Sequence, residues 1–192
     1  MKGMKLFVSI TAIFLIAGCA SVQIPHEQLE GIRSAAARVL PPEAKVEVTT
    51  ESCFLSRPAL IISAHLLEGH SSDETSPYVQ GDYGTHEKLT RLVSYRCAKI
   101  LRSVATESQI PDVSKIVIQS RHGVRQYVVT QPYSGFPAGG GTDVAMTIYT
   151  VSVPIDSMKG RGWSSMDEER IMQLWTVDMN IIPSLHFQEV RF

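Results

Sequence analysis

The sequence predicts an α+β fold in which a mostly antiparallel sheet packs against one long helix, about 85–109, and one shorter N-terminal helix. Three observations carry that prediction. Two stretches place apolar residues at helical spacing, several shorter ones alternate apolar and polar residues, and connections of the hairpin type crowd the second half.

The first helical stretch is His26 to Leu40. Leu29, Ile32, Ala36, Val39 and Leu40 share one face, Glu27 and Glu30 occupy the early turns, and Pro41-Pro42 stops the run. Strands are expected from Lys45 to Thr50, with Val46 and Val48 on one side, and from Ala59 to Leu67 around Ile61 and Ile62. After a loop rich in Ser, Asp, Gly and Pro, Thr85 is placed to cap the long helix. Its stripe is Leu89, Leu92, Val93, Cys97, Ile100, Leu101 and Val104, with Lys88, Arg91, Lys99 and Arg102 left to solvent. Beyond Pro111 the period becomes strand-like. Ile116 and Ile118 alternate with Val117 and Gln119, a turn is expected at His122-Gly123, and Val124 to Thr130 completes a hairpin. The loop Gln131 to Thr142 leads to a strand from Asp143 to Val153, with Val144, Met146 and Ile148 opposite Ala145, Thr147, Tyr149 and Val151. A short helix over Ser164 to Met172 carries Asp167, Glu168 and Glu169 near its positive end. A strand over Gln173 to Ile182 follows, with Ser184 to Phe192 continuing or pairing with it.

At 192 residues and 44% hydrophobic content the chain has the size of one ordinary domain, without internal repeat or fibrous bias. Its formal charge is −1, and no Lys/Arg cluster forms the basic face that displaces counterions from phosphates. Nucleic acid is therefore not an expected partner.

The N-terminus is different in kind. Met1 to Lys5 is short and basic, and Leu6 to Ala17 is an apolar run broken only by Ser9 and Thr11. A helix of that run rises roughly 18 Å, against a hydrocarbon core of roughly 30 Å, so it has the form of a secretory signal and not of a spanning segment. The run ends in Ile16-Ala17-Gly18-Cys19, which resembles the lipobox of bacterial lipoproteins. The resemblance covers about the first twenty residues. It implies a signal peptide over 1–18, diacylglycerol on the Cys19 thiol, cleavage before Cys19, and acylation of the new amino group by chains such as palmitate. It also implies a lipidated tether over 19–25, a single globular domain over 26–192 and, in a cell with two membranes, Ala20 directing the protein to the outer membrane facing the periplasm. More than one acyl chain gives a stable anchor, each buried methylene contributing about 0.8 kcal/mol. Cleavage removes Lys2 and Lys5, lowering the basic count from 18 to 16 against 19 acidic groups, a formal charge of −3.

With Cys19 committed to lipid, Cys53 and Cys97 remain in an oxidising compartment. A disulfide between them would stabilise the fold by roughly 4 kcal/mol in the chain-entropy model. The alternative is two buried thiols, and Cys97 lies on the apolar face of the long helix.

Three groups are candidates for chemistry. His65, Glu68, His70 and Asp73 lie close together, with His86 and Glu87 after a loop, but His65 and His70 are five apart and not at the four-residue spacing that puts two ligands on one helical face. They are weak metal candidates, and no cofactor is expected. The loop Gly135, Phe136, Pro137, Ala138, Gly139, Gly140, Gly141 lacks the Lys-Ser or Lys-Thr pair of a phosphate loop, so its expected role is a strand connection or a partner contact. The serines near His65, His70 and His122 sit in no nucleophile elbow, and Cys53 and Cys97 form no Cys-x-x-Cys pair. Trp163, Trp175 and Tyr149 read as packing residues. The expectation is a lipid-anchored, non-enzymatic envelope protein that assists a membrane-associated complex. The competing expectation is a periplasmic hydrolase or ligand-binding lipoprotein using His65, His70 or His86.

Overall fold

A computed structural model describes residues 24–51, 57–67, 86–127 and 141–184, with the side chains of 124–127 and 141–144 excepted. The elements run α1 (His26–Arg38), β1 (Val46–Glu51), β2 (Ala59–Ala64), α2 (His86–Glu107), β3 (Lys115–Tyr127), β4 (Gly141–Pro154), α3 (Glu168–Met172) and β5 (Thr176–Asn180). The fold is α+β, and its five strands lie in the order β1-β2-β3-β4-β5.

The helices form where the sequence places their stripes. On α1, Ile32, Ala35 and Ala36 are buried, and the helix ends at Arg38 ahead of Pro41-Pro42. On α2, 22 residues long, Leu92, Val93, Cys97, Ile100, Leu101 and Val104 are buried. One residue on that buried face escapes a hydropathy reading. Arg96 is 1% exposed, and its Nη1 donates to the Leu66 carbonyl at 2.7 Å, tying the middle of α2 to the exit of β2. Ser103, also buried, donates to the Ala35 carbonyl at 2.8 Å and ties α2 to α1. Arg102 is not left to solvent as expected, because it pairs with Glu168 at 2.8 Å and joins α2 to α3.

Most sheet pairings are antiparallel; β2 and β3 are parallel, Leu60 opposite Ile116 and Ile62 opposite Ile118. Parallel neighbours need a long crossover, and α2 lies between these two strands in the chain. On β1, Val46 and Val48 pack against the core while Glu47 and Thr49 stay exposed, as the alternation predicts. Leu60, Ile62 and Ala64 from β2, Ile116 and Ile118 from β3, and Val151 and Val153 from β4 join the stripes of α1 and α2 in one buried cluster.

Two local expectations are overturned. His122-Gly123 is not a turn, and Val124 does not begin a second strand. β3 runs through both residues, with His122 opposite Met146 and Gly123 opposite Ala145. Gly123 has no positive φ, so nothing in its backbone demands a turn, and the hairpin is formed instead by β3 with β4. Tyr127 pairs with Gly141, so β4 starts two residues earlier than expected. The alternation expected along β4 also fails. Ser120 faces Tyr149 but Arg121 faces Thr147, which leaves Ile148 as an extra residue in a β-bulge. The bulge reverses the parity of the strand, so Ile148 and Tyr149 are both buried, at 0% and 2% exposure.

After β4, Trp163 closes one end of the core. It is 7% exposed and its Nε1 donates to the Met158 carbonyl at 3.0 Å. Asp167 caps α3 by accepting the Arg170 backbone amide at 2.8 Å, which places the acidic residues at the helix start as expected.

Candidate interaction surface

β5 is formed by a short run in which Thr176 and Val177 favour extended backbone, and it ends where the Asn180 side-chain oxygen accepts the Ile182 amide at 3.2 Å. Among the described residues it pairs with β4 alone, so its outer row of backbone groups forms a sheet edge. All five of its residues are exposed. Val177 at 48% and Met179 at 38% are the large apolar side chains left exposed among the described residues.

The register of β5 ties this edge to the sheet. Val177 faces Val151 and Met179 faces Thr150, which leaves Asp178 as the extra residue of a second bulge. Met179 thereby extends a cross-strand row of Glu47, Ser63, Gln119 and Thr150. Along that row the Ser63 hydroxyl donates to the Gln119 side chain at 3.1 Å, and Arg121 reaches across to Glu47 at 2.9 Å. The Thr150 hydroxyl, next to Met179, is buried and makes no hydrogen bond among the described residues.

Exposed edges are commonly blunted by a bulge or an inward charge, and β5 carries a bulge at Asp178. In a symmetric antiparallel pairing of two β5 strands about their middle residue, Asp178 would face Asp178, and like charges directly opposite destabilise a pair. A foreign strand with Lys or Arg at that position meets no such repulsion. Pairing of two copies through this edge would thus bring like charges together, and a cationic segment would not.

The residues singled out in the sequence fall in separate places. Cys19, Cys53, His70, Gly135, Phe136, Gly139 and Gly140 lie outside the described residues, as does the segment 1–18 expected to be a signal peptide. Cys97 is a free thiol, fully buried, and burial pushes its pKa up, which keeps it protonated and poorly reactive. Tyr149 is likewise pushed up by burial, and its hydroxyl shares a 2.8 Å hydrogen bond with Ser94. His65 follows β2 at a half-buried position, whereas His86 is the exposed first residue of α2. No group of three or more His, Cys, Asp or Glu side chains among the described residues is arranged to hold a metal. Of the glycine loop, Gly141 is the first residue of β4. No described helix is long and apolar enough to cross a membrane.

The β5 edge was not singled out in the sequence, because exposure on one strand depends on which strands neighbour it. No protein-family model matches this sequence, and comparison with curated proteins and with solved structures likewise finds no match.

Proposed function

We propose that this chain is a lipid-anchored protein of the bacterial cell envelope, held by acyl chains on Cys19 and acting as a non-enzymatic accessory or assembly factor of a membrane-associated complex. The observation that carries the anchoring is the basic start, the twelve-residue apolar run Leu6 to Ala17 and the Ile16-Ala17-Gly18-Cys19 motif, joined in one segment. In a cell with two membranes, Ala20 after the lipidated cysteine favours the outer membrane, with the domain facing the periplasm.

The assembly role is supported by the β5 edge. A strand edge with Val177 and Met179 exposed beside it provides backbone hydrogen bonds for affinity and side-chain contacts for selectivity. Covering an apolar side chain of that size contributes roughly 1–2 kcal/mol. That is modest alone, and an anchor that confines protein and partner to one membrane raises their effective concentration and compensates for a small interface.

Two measurements test this reading separately. Replacing Cys19 by Ser should move the protein from the membrane fraction to the soluble fraction; continued membrane association would contradict the anchoring. Cross-linking in intact envelopes, followed by detergent extraction and tag purification, should recover one partner in stoichiometric amount. Recovery of the protein alone would contradict the assembly role.

A further inference from the structure

The segment between β4 and β5 encloses an open cleft of about 420 Å3, within the size range of small-molecule sites. Arg161, Arg170, Gln173 and Ser165 line it together with Met166 and Leu174. We propose that this cleft binds an organic phosphate, with the phosphate held by Arg161 and Arg170 and the organic group against Met166 and Leu174.

The walls are fixed by contacts on every side. The Trp163 indole is anchored to the Met158 carbonyl, the Ser165 hydroxyl donates to the Gly162 carbonyl at 2.9 Å, and Asp167 caps α3 immediately ahead of Arg170. Arg161 is itself oriented. Its Nε donates to the Ser157 carbonyl at 2.5 Å, which leaves the two terminal nitrogens of the guanidinium to face a ligand.

The acidic residues Asp167, Glu168 and Glu169 stand beside Arg170, and part of the carboxylate charge around the cleft is offset by other cations. Glu168 is engaged by Arg102 at 2.8 Å, and Asp156 by Lys159 at 2.7 Å, a hydrogen bond that also holds the Asp156 carboxyl below its usual range. Arg170 has a loose pairing with Asp167, at 3.8 Å, and Arg161 donates to a backbone carbonyl, that of Ser157. Two guanidiniums and the Gln173 side-chain amide line the cleft, and a phosphate offers three strong acceptor oxygens, or two with a second ester link, to receive them. Met166 and Leu174 are half-buried, an apolar wall of no use to an inorganic ion. The phosphate source is either a soluble phosphate ester or the headgroup of an anionic lipid. The site stands on the geometry of residues 161–174, so it holds whether or not Cys19 is acylated.

The test is amide NMR of the full chain in neutral-detergent micelles, following Gly162 and Ser165. In one arm glycerol 3-phosphate is added; in the other the micelles are doped with phosphatidylglycerol. Saturating shifts of both amides in the first arm assign a soluble ester, and shifts confined to the second assign a lipid headgroup. In either case Arg161→Gln with Arg170→Gln should weaken binding by at least about tenfold, since charge-assisted bonds are lost. Arg161→Lys, which keeps the charge and loses the fork, should weaken it less. Both arginines are exposed, and an unchanged circular dichroism spectrum establishes that the variants fold. Unmoved Gly162 and Ser165 amides in both arms, or shifts that persist in the double variant, would overturn the proposal.

Discussion

β3 and β5 flank the same strand, β4, and meet opposite fates. β3 lies between two neighbours and buries Ile116 and Ile118 to within 1% exposure, whereas every residue of β5 is exposed and Val177 keeps 48% of its surface. Local sequence separates them in part, since β3 opens on the continuous apolar run Ile116-Val117-Ile118 whereas β5 alternates Val177 and Met179 with polar residues. Position in the sheet does the rest. A strand under α2 has its register enforced by burial, because a one-residue slip would turn Ile116 and Ile118 away from the core, while a strand at the rim has little to enforce it and retains unpaired backbone groups. The interior of this protein is therefore where stability is set, and the rim is where a partner can be accommodated.

Substitutions sharpen the contrast in order of size. Leu101→Ala, at the centre of the α2 stripe, should cost about 2–5 kcal/mol, seen as a lower midpoint in urea denaturation at unchanged slope. Arg96→Met keeps the volume but leaves the Leu66 carbonyl without its donor, at a cost of about 1–3 kcal/mol by the same assay.

The buried thiol adds a pH dependence. Burial raises the Cys97 pKa above the ordinary 9.0, so the unfolded chain loses this proton first and stability falls as pH rises past that value. The fall for one thiol is at most about 1.4 kcal/mol per pH unit. The difference in stability between wild type and Cys97→Ala should therefore change between neutral and strongly alkaline buffers, and a pH-independent difference would contradict this burial.

At the start of α3, Asp167→Ala removes the N-cap and should cost about 1 kcal/mol. Smallest of all, Val177→Thr should change stability by under about 0.5 kcal/mol, because the side chain is half exposed and extended backbone is still favoured. A loss there as large as that of Leu101→Ala would erase the distinction between interior and rim.

The parts of this fold that were legible in the sequence are those governed by period alone. The α2 stripe, Leu89 to Val104, keeps its spacing over about four turns, and Val46 and Val48 alternate cleanly, so both follow from period alone. Where a single residue breaks the period, the reading fails. His122-Gly123 has turn-forming composition, yet pairing with Met146 and Ala145 holds it extended, since tertiary hydrogen bonds outweigh a local preference. The extra residue Ile148 flips the faces of β4, and no composition signal announces a bulge. The parallel step from β2 to β3 depends on where α2 lands, which no single segment specifies. A charged residue on an apolar stripe is normally assigned to solvent, and the burial of Arg96 depends on tertiary partners such as the Leu66 carbonyl. The candidate site divides in the same way. The resemblance of Ile16-Ala17-Gly18-Cys19 to a lipobox is local to four residues, whereas the β5 edge exists only once strand order is known.

The central claim is tested most directly by placing a photo-cross-linking amino acid at Met179, and in a separate variant at Glu27 on the exposed face of α1, and irradiating intact envelopes. One defined adduct with a different envelope protein is expected from position 179 and none from position 27. No adduct from position 179, the same adduct from both positions, or an adduct only with a second copy of this chain would contradict the claim.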